Sequence, residues 1–312
     1  MDGLLSELGV ARPFVFAGGR FAGLPLRPHG RWNDVPTDRI DVAAAATAGA
    51  DVLVALGGGS TIDTAKAVSA KSSLPLVSIP TTYSGAEWTR FFGVRDPERK
   101  IRGGGAGAYL AGIVYEPKLT LDLPRAETVG TALNALAHCA EALYVKEHNA
   151  AADEHALEGA RLISTWLPRV VAAAGEPLEA RTELLRGACE AGAALGGSML
   201  GLGHALAQAL GGRYGVPHGA MNALCLPPAL RFNEAAAPEA IERFGQALGT
   251  TEPASRVEEL ARLGGFGRLR DFGVPMAELE EVAEAVVVRA GARSNPREAS
   301  AAEAAELLRS IW

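Results

Sequence analysis

Aromatic side chains make up only 6% of the 312 residues, and cysteine is scarcer still: Cys139, Cys189 and Cys225, far apart and odd in number. Without CxxC spacing or an even count they form no disulfide framework, and they fit a reducing cytoplasm. Basic residues are scattered, with no run and no aromatic interleaving, and the net charge is −6. Such a surface gives no support to nucleic-acid or anionic-membrane binding. No apolar run reaches the ~18 residues needed to span a bilayer, and no basic-then-apolar leader opens the chain. The expectation is a cytoplasmic protein with no membrane segment.

What is abundant is apolar mass, 48% of the chain, enough for a large core and, at this length, two domains. The organising stretch is Asp51 to Ser69, DVLVALGGGSTIDTAKAVS. Val52 to Leu56 is a continuous apolar run, the mark of a parallel strand covered on both faces. Gly57, Gly58 and Gly59 follow; they allow positive φ and close approach of a ligand to the backbone, while Ser60 or Thr61 can cap the next helix. An anion site at that helix start is one reading, and a tight βα turn with no ligand is the other. Neither GxGxxG nor GxxxxGK[ST] is present.

Along the chain, the pattern predicts a short helix, a strand over Pro13–Ala17 and a turn at Gly18-Gly19. Pro25–Pro36 reads as a loop, and Thr37–Gly49 as a helix capped by Thr37. A second apolar strand, Leu74–Pro80, ends in Thr81-Thr82-Tyr83-Ser84-Gly85, so two strands of one sheet end in small and hydroxyl residues, where open α/β sheets bind ligands. Phe91–Val94 and Ala111–Tyr115 read as a strand pair around the glycine-rich turn 96–107, a flexible hairpin more than a second phosphate loop. From about Pro124 strand signals vanish. Alanine-, leucine- and glutamate-rich helical patterns run to Trp312, with breaks at Gly175–Pro177, Gly211–Pro217, Pro227-Pro228, Gly249–Pro253, Gly264–Gly273 and Ser294–Pro296. The expected architecture is α/β plus all-α: a parallel-sheet domain over 1–123 and a helical domain over 124–312.

Three of the six histidines form a suggestive set: His138, His204 and His218. Asn134/His138 and His204/Gln208 are each i, i+4 on an otherwise apolar helix, a face that turns inward. Imidazoles from different helices can build a divalent-metal site to which an amide oxygen adds a weak ligand, or they can be core histidines with satisfied hydrogen bonds. His29, His148 and His155 sit in polar surroundings and read as surface.

Together these motifs resemble the iron-dependent alcohol dehydrogenase family, and within it the maleylacetate reductase branch. The likeness rests on Gly57-Gly58-Gly59-Ser60 with Asp63 and Lys66, on Pro80 to Glu87, on Asn134 to Glu141, on His204 to His218 and on Asn295-Pro296-Arg297. It implies a truncated Rossmann-like domain, a helical domain in a dehydroquinate synthase-like architecture, and a cleft between them where a hydride passes between a nicotinamide and a small carbonyl or enol-type acid. It further implies an oxidoreductase, a homodimer and a small anionic substrate. By position, Gly57 to Ser60, with Asp63 and Lys66, would hold the pyrophosphate of NAD(P)H, and Thr81, Thr82 and Ser84 would flank the nicotinamide ribose. His138, His204 and His218 match three ligand positions for iron or zinc, and with Asn134 and Gln208 they form the candidate catalytic set.

Asn134 stands where the family has aspartate, Gln208 where it has a second histidine, and Pro228 where another histidine often sits. Between Arg12–Pro25 and Val35–Ala50 a loop replaces the family's strand, helix and strand, which hold the adenosine half of the dinucleotide, and the sequence shows no acidic residue at a strand end there. The resulting expectation is a reductase; the alternative is the same histidine cleft turned to isomerisation, elimination or ring closure without hydride transfer.

Overall fold

The computed structural model describes residues 2–23, 28–98, 100–172 and 178–312. They form two compact units, one of Met1–Thr82 with Ala86–Thr120 and one of Tyr83–Gly85 with Leu121–Trp312.

In the first unit, α1 (Asp2–Glu7) precedes β1 (Pro13–Ala17), β2 (Gly30–Trp32), α2 (Ile40–Ala46), β3 (Val52–Gly57), α3 (Gly59–Ser72) and β4 (Pro75–Pro80). Then come β5 (Phe92–Arg95), β6 (Ile101–Gly105) and β7 (Tyr109–Ile113). Five strands make one sheet in the order β2-β1-β3-β4-β7, and every pairing in it is parallel. Every residue of β3 is buried, as its unbroken apolar run demands. Phe14, Phe16, Leu53 and Leu76 pack on one face of the sheet with Ile62, Ala65 and Val68 of α3, while Val15, Val54, Leu56 and Ile79 form the core of the other.

The structure departs from three local expectations. Residues 30–32, read as loop, are the strand β2, paired Phe14↔Gly30 and Phe16↔Trp32; three residues are too few to show a period. Residues 25–27 of that loop lie outside the described residues. The helix after it starts at Ile40 with Arg39 as N-cap, and the Thr37 hydroxyl instead accepts from the Arg39 N–H at 3.2 Å. Finally, the strand at 92–95 pairs antiparallel with Gly-rich β6, not with 109–113, which joins the main sheet beside β4. Glycine has little strand propensity, so the sequence hides β6; its backbone still pairs once Asp96 closes the turn by accepting from the Lys100 N–H at 2.9 Å.

The second unit is helical: α4 (Arg125–Tyr144), α5 (Ala150–Ala172), α6 (Leu178–Gly197), α7 (Leu202–Tyr214), α8 (His218–Asn233), α9 (Pro238–Leu248), α10 (Pro253–Leu263), α11 (Leu279–Val287), α12 (Ala290–Ser294) and α13 (Ala301–Ser310). From Thr128 to Tyr144 almost every residue of α4 is buried, and α5, α6, α7 and α8 all pack on it. The break read at Pro227-Pro228 is overturned, because both prolines lie inside α8 and are buried there. Proline removes its own helical N–H bond, and the packing of α4, α7 and α10 on α8 outweighs that loss. The break read at 175–177 falls outside the described residues. Ala191 and Ala194 of the small-residue stretch 191–200 are core. Among the described residues no helix is long and apolar enough to cross a membrane.

Candidate functional site

The glycine turn caps the sheet of the first unit. Gly58, with φ −79° and ψ −177°, is the N-cap of α3, and no side chain caps that helix. Neither Ser60 nor Thr61 fills that role, and Gly57, Gly58 and Gly59 are absent from the positive-φ glycines. Their small size serves close approach instead. A Cβ on Gly57 would lie 2.5 Å from the Thr61 hydroxyl oxygen, and one on Gly58 would lie 3.0 Å from the Thr82 methyl. The helix therefore starts flush with the strand end, its first N–H groups lacking intrahelical partners. Thr81 sits alongside, its N–H bonded to the Gly57 carbonyl at 3.0 Å and its hydroxyl accepting from Arg20 at 3.2 Å.

Asp63 and Lys66 face away from such a role. Lys66 is buried; its ammonium pairs with Asp63 at 2.9 Å and donates to the Phe91 carbonyl at 2.5 Å, while Asp63 also accepts from the Gly93 N–H at 3.2 Å. Both stitch α3 to β5. Close by, Glu87 is fully buried, accepting from Tyr115 at 2.8 Å, and burial raises its pKa above the ordinary 4.5.

The second unit carries the histidines. The rings of His138 and His204 stack 4.7 Å apart and 12° from parallel, and His218 lies 5.9 Å from His204. Asn134 ties the group together. It donates to the Ser84 carbonyl at 2.8 Å, its oxygen accepts from Asn222 at 2.6 Å, and that oxygen also lies 3.3 Å from His204 Nε2. Asn222 in turn lies 3.0 Å from His218 Nε2; since its amide nitrogen donates, the His218 hydrogen belongs on Nδ1. Behind His204 stands Glu141, 2.6 Å from Nδ1. Burial, then the neighbouring His204 and His218, push the His138 pKa well below 6.5, so that ring is neutral at pH 7.

Tyr83, Ser84 and Gly85 lie along this helix face as a strap. Tyr83 is buried, its N–H bonded to the Thr131 hydroxyl and its own hydroxyl to Arg181. Gly85 adopts φ +74°, and a Cβ there would lie 3.3 Å from His138 Nδ1. Gln208 follows His204 by one turn of α7 and is half-buried. Outside the cluster, His155 pairs with Glu190 at 2.6 Å and His29 lies 3.2 Å from the Ala48 carbonyl.

Residues 128–312 match the C-terminal model of the Fe-containing alcohol dehydrogenase family, and residues 33–109 match the iron-containing alcohol dehydrogenase model. The chain belongs to the iron-containing alcohol dehydrogenase family. It is an oxidoreductase of that family. A maleylacetate reductase of Burkholderia cepacia is 40% identical over 240 residues, 77% of this chain and 68% of the relative. One from Pseudomonas sp. (strain P51) is 37% identical over 281 residues, 89% and 79% of the two chains. The crystal structure of maleylacetate reductase from Rhizobium sp. strain MTP-10005 superposes with a TM-score of 0.90 at 29% identity, covering 100% of this chain and 92% of that one.

The family name carries iron, and the side chains of the cluster do not fit a metal as they stand. Metal ligation uses the in-plane lone pair of an imidazole, and two rings 12° from parallel do not aim those pairs at one point. The Asn134 oxygen is taken by Asn222. Among the described residues no group of three or more His, Cys, Asp or Glu is spaced to hold a metal ion.

Sequence reasoning brought together His138, His204, His218 and Asn134 and singled out Ser84; it missed Asn222, the contact of Glu141 with His204, and the packing of Tyr83 and Gly85 along α4. Glu141 had a legible signal, standing one turn after His138 on the same face of α4.

Proposed function

We propose that the protein is an NAD(P)H-dependent reductase of a small carboxylated carbonyl or enol substrate, akin to the maleylacetate reductases. The observation that carries this reading is the buried set of His138, His204 and Asn134, with half-buried His218 beside it, in a chain 40% identical to such an enzyme. Reduction delivers a hydride to an electrophilic carbon and leaves negative charge on a conjugated oxygen, which a proton then quenches. Neutral imidazoles suit both needs. They donate N–H to a developing anion and can pass a proton without first losing a charge. His138 has that character, and His218 stands beside it with Nε2 held by Asn222.

In this reading the turn Gly57 to Ser60 holds the cofactor pyrophosphate at the start of α3, with Thr81, Thr82 and Ser84 serving the nicotinamide side. In this reading Asp34, an exposed acidic residue just past β2, serves the ribose hydroxyls of the adenosine half. Phe16 pairs with both Trp32 and Ala55, so the end of β2 lies two strands from the end of β3; Asp34 follows two residues past Trp32 and is exposed. The two strands are second neighbours, about 10 Å apart, which suits a pyrophosphate and its ribose hydroxyls. The reading therefore favours NADH over NADPH, whose 2′-phosphate would meet the Asp34 carboxylate.

The test is a titration of NADH and NADPH against intrinsic tryptophan fluorescence. Saturable NADH binding below about 1 mM, the upper range of ordinary KM values, is expected, with Asp34→Ala narrowing the gap to NADPH. No saturable binding of either cofactor would overturn the reading. It would favour instead isomerase, lyase or cyclase chemistry on a small anionic metabolite, a second reading motivated by the β1–β2 connection, in which no α-helix lies among the described residues.

A further inference from the structure

Glu141 is wholly buried, and none of the roles above uses it. Its carboxylate accepts from the Gly201 N–H at 2.7 Å, the His204 N–H at 2.9 Å and His204 Nδ1 at 2.6 Å. The segment Gly201-Leu202-Gly203-His204 is shaped around it. A Cβ on Gly201 would lie 3.1 Å from Glu141 Cγ, and one on Gly203 would lie 3.0 Å from Glu141 Oε1. Two glycines thus let the first turn of α7 close over a carboxylate, whose charge is met by the helix N-terminus and by the imidazole. The opposite edge of that ring faces the Asn134 oxygen, itself fixed because the amide nitrogen of Asn134 donates to Ser84. His204 is therefore held at Nδ1 by Glu141 while its Nε2 edge abuts the Asn134 oxygen, and a line of contacts runs from Glu141 through His204, Asn134 and Asn222 to His218.

We propose that Glu141 is a positioning residue for the reduction: by taking the Nδ1 hydrogen of His204 it fixes that ring, and through Asn134 and Asn222 it fixes the orientation of His218. The proposal rests on the reductase reading for its chemistry, but its structural core does not. With the carboxylate gone, His204 can turn, the Asn134 oxygen loses one neighbour, and the donor edge of His218 is no longer held. A helix cap alone would do none of this; it would change stability and leave the rings as they were.

The test uses the full-length protein labelled with ¹⁵N. In the wild type a slowly exchanging Nδ1–H resonance is expected for His204, assigned by its loss in His204→Gln. In Glu141→Gln that resonance shifts or vanishes, and kcat with maleylacetate and NADH falls by about 100-fold or more, the scale of a lost acid–base contribution, while the KM for NADH stays within about twofold. Glu141→Asp keeps the charge on a shorter stem and recovers part of both signals. A wild-type His204 without a hydrogen on Nδ1 overturns the proposal even if the variants fail to fold. So does a folded Glu141→Gln protein that keeps kcat within about threefold, or one that loses kcat while the His204 resonance stays put. If the wild type turns over no maleylacetate and binds neither cofactor, the reductase reading fails on its own, and the resonance still decides whether Glu141 holds His204.

Discussion

Replacing Asn134 by aspartate would restore the residue type that the family resemblance leads one to expect, and the structure predicts that the change destabilises the helical unit. Asn134 is 4% exposed, so nothing done to its side chain is relieved by water. Its oxygen, accepting from Asn222 at 2.6 Å, survives the substitution. Its nitrogen, donating to the Ser84 carbonyl at 2.8 Å, does not. Aspartate would set two acceptor oxygens against each other there and leave the Ser84 carbonyl without its donor, a loss of about 1–3 kcal/mol. For a unit of this size each kcal/mol lowers Tm by about 2–4 °C, so a fall of about 2–12 °C is expected. The assay is urea and thermal unfolding of Asn134→Asp, with Asn134→Ala as the variant that loses both ends of the amide. If Asn134→Asp, free of divalent ions, unfolds at the wild-type midpoint, the hydrogen-bond argument is wrong. If zinc or iron(II) restores the stability of this variant alone, aspartate has recreated a ligand that asparagine withholds.

Gly85→Ala would force an alanine into φ +74° with its Cβ against His138, costing about 1–2 kcal/mol in the unfolding midpoint and shifting the His138 ring resonances. Glu87, raised above 4.5 in the fold by burial, binds more protons folded than unfolded, so wild-type stability should fall as pH climbs from that value. Glu87→Gln should flatten the slope, and parallel pH profiles for the two proteins would refute the assignment. Burial raises the thiols of Cys139 and Cys225, whereas Cys189 is only partly buried, so a thiol reagent should modify one cysteine readily in the folded protein and all three in denaturant.

The parts legible in the sequence were those whose cause is local. Val52 to Leu56 is a parallel core strand because nothing polar interrupts it, and the three histidines declared themselves by helical spacing on apolar faces. The parts that stayed hidden depend on distant partners. β2 is a strand only because β1 lies beside it, β6 because β5 does, and Pro227 and Pro228 remain helical because their neighbours bury them. The same holds for the site. Asn222 and Glu141 look like ordinary helix residues until α4, α7 and α8 are packed, and Lys66, promising beside a glycine turn, spends its charge on Asp63 instead.

The strap sets a limit on dissecting the molecule. Because Tyr83, Ser84 and Gly85 belong with the helical unit while the residues on either side of them belong with the sheet, the polypeptide changes allegiance three times, and a single cut near Thr120 releases no self-sufficient module. A fragment beginning at Leu121 would be born with a slot along α4 where a tripeptide should lie, and a short peptide carrying Tyr-Ser-Gly would be its natural complement.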